Sequence, residues 1–322
     1  MSEDQKTGVV LLNLGGPESL EAIGRFLVNM LSDPDLVPIP WPLRPILARR
    51  IAKRRSGVVA GHYRAIGGKS PIGEQTKAQV TALAKQLGQG YLVKHAFRHS
   101  PPDAVRVVKE LVTQGARRIV ALPAYPQWSQ TTTGSALKDL KKACRPYPLD
   151  LRATPSFPDG PGYIQALAEE AYDLLEENTH VIVSAHGLPQ RIVNKGDPYL
   201  AEVERTFAAL KAELPRGVTC SLAFQSRLGP IEWTRPYLTD EIRRLGQAGT
   251  RSLMVVPVSF VCENLETLYE LDLETAQLAK ECGIATYRRA ATPGTHPAFI
   301  DELTGLVLRT VKLAGWETTS GG

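Results

Sequence analysis

Short apolar runs rich in β-branched residues alternate along the chain with longer segments whose apolar positions recur every three or four residues. Residues 9–14, 91–97, 118–122 and 150–154 read as strands, and 76–87 and 103–114 as helices. Beyond Pro158 the pattern resumes, with a helix over 163–177, strands over 180–184, 218–224 and 253–258, and a final helix over 297–313. Strands alternating with helices predict parallel sheets covered by helices. The chain runs that pattern twice.

Three local matches support a duplication. Val9-Val-Leu-Leu-Asn-Leu-Gly-Gly-Pro17 aligns with Val181-Ile-Val-Ser-Ala-His-Gly-Leu-Pro189 at valine, glycine and proline, which places Leu14 opposite His186. Gly115-Ala-Arg-Arg-Ile-Val-Ala-Leu-Pro123 aligns with Gly249-Thr-Arg-Ser-Leu-Met-Val-Val-Pro257, and Ala96-Phe97-Arg98 with Ala223-Phe224-Gln225. The matches fall in one order, so two similar α/β halves are expected, 1–157 and 158–296. The segment 297–322 is expected to pack its helix back across the halves, with Gly321 and Gly322 a frayed end. Ligands of open α/β sheets bind at the carboxyl ends of the strands, so the cleft between the halves is the expected site. His186 is then the chemically active residue on one wall and Leu14 the apolar residue on the other.

Composition narrows the class. With 322 residues and 43% hydrophobic positions the chain can bury two modest cores, and it contains no apolar run of about eighteen residues that would span a bilayer. The N-terminal Met1-Ser-Glu-Asp-Gln-Lys-Thr7 resembles neither a secretory signal nor a transit peptide. Cys144, Cys220, Cys262 and Cys282 lie far apart with no metal-ligand spacing, which predicts a reduced, cytoplasmic protein without structural zinc. A net charge of +5 without basic stretches interleaved with aromatics argues against nucleic acid. Arg44, Arg49, Arg50, Lys53, Arg54 and Arg55 follow an apolar stretch beginning at Leu36. The region 36–55 suits peripheral contact with a membrane surface or an apolar acid, and equally a solvated helix face.

Candidate chemistry concentrates in three places. Glu263, Glu266, Glu270 and Glu274 recur at helical spacing just beyond a strand and are expected along one helix face. A solvated acidic surface is one reading; a stepwise path for a hard divalent cation or for protons is the other. The hydroxyl-rich segment from Tyr125 to Ser135 suits either a carboxylate ligand or helix capping. Gly67-Gly68-Lys69-Ser70 lacks phosphate-loop spacing, and Ser184 beside His186 has no G-x-S-x-G context, so neither nucleotide binding nor serine hydrolysis is expected.

Taken together, Leu11-Leu-Asn-Leu-Gly-Gly-Pro-Glu18, Tyr63-Arg-Ala-Ile-Gly-Gly-Lys-Ser-Pro-Ile72, Leu122-Pro-Ala-Tyr-Pro-Gln127, Thr132-Thr-Gly134, Ser184-Ala-His-Gly-Leu-Pro189, Lys195-Gly-Asp-Pro-Tyr199, Phe224-Gln-Ser-Arg-Leu-Gly-Pro230 and Leu265-Glu-Thr-Leu-Tyr-Glu-Leu-Asp272 resemble ferrochelatases. The resemblance runs from about Val9 to the C-terminal helix. It implies two Rossmann-like domains with parallel sheets around a central cleft, and insertion of Fe2+ into protoporphyrin IX with release of two protons. It further implies His186 and Glu266 as catalytic residues, and a metal route through His186, Glu266, Glu270 and Glu274. Leu14, Arg64, Tyr125 and Trp233 are implied as porphyrin contacts, and a locally widened helix is implied around the acid ladder. Iron is then a substrate, and no permanently bound cofactor is expected.

Two departures stand out. Asn264 occupies the position where many relatives have histidine, and it cannot titrate. Gln130 stands where cluster-bearing relatives carry cysteine, so no iron–sulfur cluster is expected. A monomer is favoured. Coproporphyrin III is the alternative substrate, and a non-catalytic tetrapyrrole carrier the alternative of another class.

Overall fold

Strand β1 (Thr7–Asn13) is buried along its whole length, as a central parallel strand covered on both faces must be. It pairs in parallel with β2 (Tyr91–Phe97) on one side and β3 (Arg118–Pro123) on the other, and β3 carries β4 (Asp150–Ala153) at the edge. The second sheet has the same form: β5 (Thr179–His186) lies between β6 (Thr219–Gln225) and β7 (Ser252–Pro257), and β8 (Thr286–Arg289) closes the edge. These elements belong to a computed structural model in which residues 6–37, 42–227 and 229–316 are described. Part of the apolar stretch before the basic cluster, Leu228 and the two terminal glycines lie outside them.

The orders β2-β1-β3-β4 and β6-β5-β7-β8 superpose strand for strand, in accord with a doubled α/β pattern. Register repeats as well. Leu12 pairs with Pro123 as Ser184 pairs with Pro257, and Asn13 pairs with Phe97 as Ala185 pairs with Phe224. The loops repeat too: Phe97 N donates to Pro102 O at 2.8 Å, and Phe224 N to Pro236 O at 2.8 Å. The chain forms two compact units, one of 1–125, 130–156 and 300–322, the other of 126–129 and 157–299. Within the first, Val10, Leu12, Val107, Leu111, Ile119 and Leu140 build a core between sheet and helices; within the second, Ile182, Ile242, Leu245, Val255 and Leu271 do so.

Two local differences from the sequence reading have physical causes, and the widened acidic helix agrees with it. The helix expected over 163–177 is Pro161–Tyr172, because Leu174 N and Leu175 N reach only to Ala171 O and Tyr172 O, a tightened turn that ends it. β8 was not expected from Thr286-Tyr-Arg-Arg289, whose two arginines mask a strand. The acidic segment is a ten-residue π-helix, Glu266–Thr275, running into the helix Ala276–Glu281. A second π-helix, Gln130–Gly134, stands at the corresponding place after β3 and runs into Ser135–Cys144. The duplication thus includes the widened helix.

Candidate functional site

The carboxyl edge of the second sheet gathers three of the candidate acids and bases around the end of β6. His186 ends β5 in register with Gln225. The Gln225 side chain accepts from Ser184 Oγ at 2.9 Å and donates Nε2–H to Glu266 O at 3.2 Å, which ties the strand ends to the first turn of the π-helix. The next residue, Ser226, with φ of +67°, donates Oγ–H to Glu270 Oε2 at 2.5 Å. The last residue of β6 and the one after it therefore fix the positions of Glu266 and Glu270.

The imidazole of His186 is half-buried and packs edge-on against Phe260, with ring centroids 6.0 Å apart. Its Nδ1 is fully buried and has no hydrogen-bond partner among the described residues. A buried polar atom left so costs stability and calls for a ligand. Burial pushes its pKa down to about 4, so the ring is neutral at physiological pH. Burial raises the Glu266 carboxyl, and burial together with the Glu266 charge pushes Glu270 up to about 7. Glu266 and Glu270 are half-buried and Glu274 is exposed, so the ladder leads from solvent inward. No group of three or more His, Cys, Asp or Glu side chains among the described residues is arranged to hold a metal ion.

One expected member leaves the ladder. Glu263 Oε1 accepts from Arg289 NH1 and from Thr292 N, both at 2.9 Å, because it precedes the π-helix and faces β8. Arg289 also grips Asp272 through Nε and NH2 at 2.6 and 2.9 Å. Asn264, in place of a titrating residue, caps the segment: its Oδ1 accepts from Thr267 N and its N–H donates to Thr267 Oγ1, each at 3.0 Å. This reciprocal pairing is the geometry of a capping box.

Trp233 lies in the same unit, bridging to Pro189, and its ring packs on Gly187, where a Cβ would come within 3.4 Å. In the first unit, Leu14 is half-buried at the end of β1 and packs on that unit's core. Tyr125 is buried just beyond β3, with its hydroxyl lacking a partner among the described residues. Arg64 is exposed in the last turn of the helix Arg44–Ala65. Sequence reasoning assigned no role to Gln225, Ser226 or Ser259. The available signal was the duplication, which sets Gln225 opposite Arg98 and Ser259 opposite Tyr125 at a strand end.

The ferrochelatase family model matches residues 6–311. A ferrochelatase of Geobacter metallireducens is 43% identical over 311 residues, covering 94% of this chain and 98% of the relative. That of Aquifex aeolicus is 40% identical over 307 residues, covering 94% and 98%; that of Nostoc punctiforme is 41% identical over 324 residues, covering 95% and 83%. Among solved structures, SirB from Bacillus subtilis with Fe3+ has a TM-score of 0.61 at 12% identity, covering 97% of this chain and 99% of that one, a likeness of fold.

Proposed function

Because the chain belongs to the ferrochelatase family and inserts iron into a porphyrin in haem synthesis, we propose that His186 and Glu266 act at the pyrrole nitrogens while Glu270 and Glu274 deliver the metal. The protein is a lyase, a porphyrin metal chelatase, and its substrates are a porphyrin and ferrous iron. The observation that carries the residue assignment is that half-buried His186, whose Nδ1 has no partner among the described residues, stands at the same sheet edge as two half-buried carboxyls.

Metallation replaces two pyrrole N–H protons by one divalent ion. A neutral imidazole offers a lone pair to an N–H or to the incoming ion without first losing a proton. With its proton affinity depressed, His186 does not retain a pyrrole proton at neutral pH. A carboxylate titrating near 7 does, and Glu270 is such a group, with Glu266 between it and the strand end. The two pyrrole protons leave along the route by which the divalent cation enters, so charge balances over the whole exchange. Oxygen ligands exchange readily on a divalent ion, and an open ladder passes iron on rather than storing it.

Leu14, Arg64, Tyr125 and Trp233 are proposed as porphyrin contacts, apolar surface and hydroxyl or guanidinium being suited to a flat acid with apolar edges. Protoporphyrin IX is the proposed substrate, since the Leu14-Gly-Gly-Pro-Glu18 form resembles enzymes acting on it. Turnover on protoporphyrin exceeds that on coproporphyrin III if this holds. Work without an iron–sulfur cluster is supported by four free cysteines far apart in sequence. No helix among the described residues is long and apolar enough to cross a membrane. We propose a cytoplasmic monomer, and the exposed Leu43, Ile46 and Val58 beside the arginines of the helix Arg44–Ala65 support peripheral membrane contact.

Anaerobic mixing of protein, metal-free protoporphyrin and ferrous or zinc ion, followed in the porphyrin absorbance bands, tests the assignment. His186→Ala and Glu266→Gln are each expected to lose about 10²-fold or more in turnover while still binding porphyrin. Substantial turnover by either variant overturns it.

A further inference from the structure

His186 is held by its backbone as well as by its place in the sheet. Its N–H donates to Ser259 Oγ at 3.0 Å, its carbonyl accepts from Tyr199 Oη at 2.8 Å, and the two hydroxyl oxygens are 2.7 Å apart. Donor counting fixes every direction. Tyr199 has one hydroxyl proton and gives it to the His186 carbonyl, so the proton between the hydroxyls comes from Ser259, whose oxygen in turn accepts the His186 N–H. The three bonds form a closed ring through both sides of the His186 residue.

The ring solves a problem set by the fold. β5 pairs with β7 only as far as Ser184 to Pro257, so the backbone of His186 has no sheet partner on that side, and proline could not have donated one. Buried peptide groups need partners. Ser259, two residues beyond the end of β7, supplies one, and Tyr199, in the first turn of the helix Tyr199–Glu213, supplies the other. Tyr199 is itself anchored: its N–H donates to Asp197 Oδ1 at 3.0 Å, and Asp197 Oδ2 accepts from Ser129 Oγ at 3.0 Å. The ring therefore couples β5, the loop after β7 and the Lys195–Tyr199 turn at one residue.

We propose that Ser259 and Tyr199 are positioning residues for metal insertion, a closed hydroxyl ring that fixes the His186 backbone and with it the direction of the imidazole. The proposal rests on the assignment of His186 above. Neither hydroxyl touches the reacting atoms; each acts through the peptide groups that set the direction of the side chain. Because the ring is closed, removing either hydroxyl breaks two of its three bonds, and removing the second hydroxyl has little left to break.

Steady-state zinc insertion into protoporphyrin tests this with Ser259→Ala, Tyr199→Phe, the double variant, Ser259→Thr and His186→Ala. Each single variant is expected to lower kcat about tenfold with the porphyrin KM within about twofold, a displacement effect on chemistry rather than on binding. The double variant is expected to match the slower single variant within about twofold, and Ser259→Thr to recover most of the loss because it restores the hydroxyl. Unchanged kcat in Ser259→Ala, multiplicative losses in the double variant, or a threonine variant as slow as the alanine one each overturns the proposal. If Tyr199→Phe does not fold, the Ser259 series decides. An active His186→Ala means the assignment of His186 has failed; an inactive His186→Ala beside fully active ring variants means that only the ring has.

Discussion

His186 and Glu270 stand on one sheet edge with proton affinities displaced in opposite directions, and burial is the first cause of both. Burial disfavours whichever form is charged, so the imidazole loses its cation and the carboxyl keeps its proton. For Glu270 the sign for stability follows. Between the unfolded carboxyl value of 4.5 and about 7 the folded protein holds a proton that the unfolded chain has released, so stability falls as pH rises through that window. Glu270→Gln removes this penalty. In metal-free protein its unfolding free energy in urea should exceed that of the parent at pH 8 by an amount on the order of 1 to 3 kcal/mol, and converge with it near pH 4.5; equal stability at pH 8 would contradict a buried carboxyl. His186 runs the other way, and its contribution fades as pH falls from 6.5 towards about 4. At Asn264 the expected loss is a cap: Asn264→Ala should cost about 1 kcal/mol in urea denaturation, and Asn264→Asp, which keeps the accepting oxygen, much less. His186 was legible in sequence because an apolar run broke at Gly187 and Pro189. The cap of Asn264 and the ring at Ser259 were not, since hydroxyl and amide partners several residues or strands away leave no periodic trace.

The widened helix depends on β8 in a way that neither segment announces alone. Tyr287 and Arg289 are two apart and so share one face of the strand, and both reach the π-helix: Tyr287 Oη donates to Leu271 O at 2.8 Å, and Arg289 spans Asp272 and Glu263. Within the helix, Thr275 Oγ1 donates to Glu270 O, five residues back, at 2.6 Å. A π-helix is poorly stabilised by itself, and the bonds from β8 hold its middle and the segment that precedes it. Arg289→Met would leave Glu263, 14% exposed, without its cation, and should cost about 2 kcal/mol or more in urea denaturation. Arg289→Lys should recover only part, because an ammonium cannot repeat the two-pronged grip on Asp272. A loss under about 0.5 kcal/mol for Arg289→Met would class the cluster with ordinary surface pairs. The β-rich runs of the central strands were legible because both sheet faces are buried. β8 was not, because an edge strand that braces a functional helix carries tyrosine and arginine where a core strand carries valine. The acid ladder was read as four carboxylates on one face, and three remain there once Glu263 turns to β8.

At the scale of the whole chain, one α/β plan appears twice and only one copy bears the proposed chemistry. The correspondence is positional: Leu14 answers His186, Arg98 answers Gln225, and Tyr125 answers Ser259. Around Leu14 the surroundings differ in kind. Arg98 pairs with the buried Asp33 at 2.9 Å and donates to Ser135 Oγ at 2.8 Å, and Ser135 donates to Asp33 at 2.6 Å, a closed ionic cluster at the place where the second unit links Gln225 to Glu266. A histidine added there would stand near a guanidinium and far in sequence from any acid ladder. Fold alone does not supply activity; the grafted site does. That leads to a last prediction. His186→Leu should abolish zinc insertion, and adding Leu14→His to it should restore nothing, although the exchange only swaps two corresponding strand ends. Recovery of even about a tenth of parental turnover, against the loss of roughly 10²-fold or more expected for the single variant, would show that strand-end position suffices and that the Gln225, Ser226 and Glu270 surroundings do not matter.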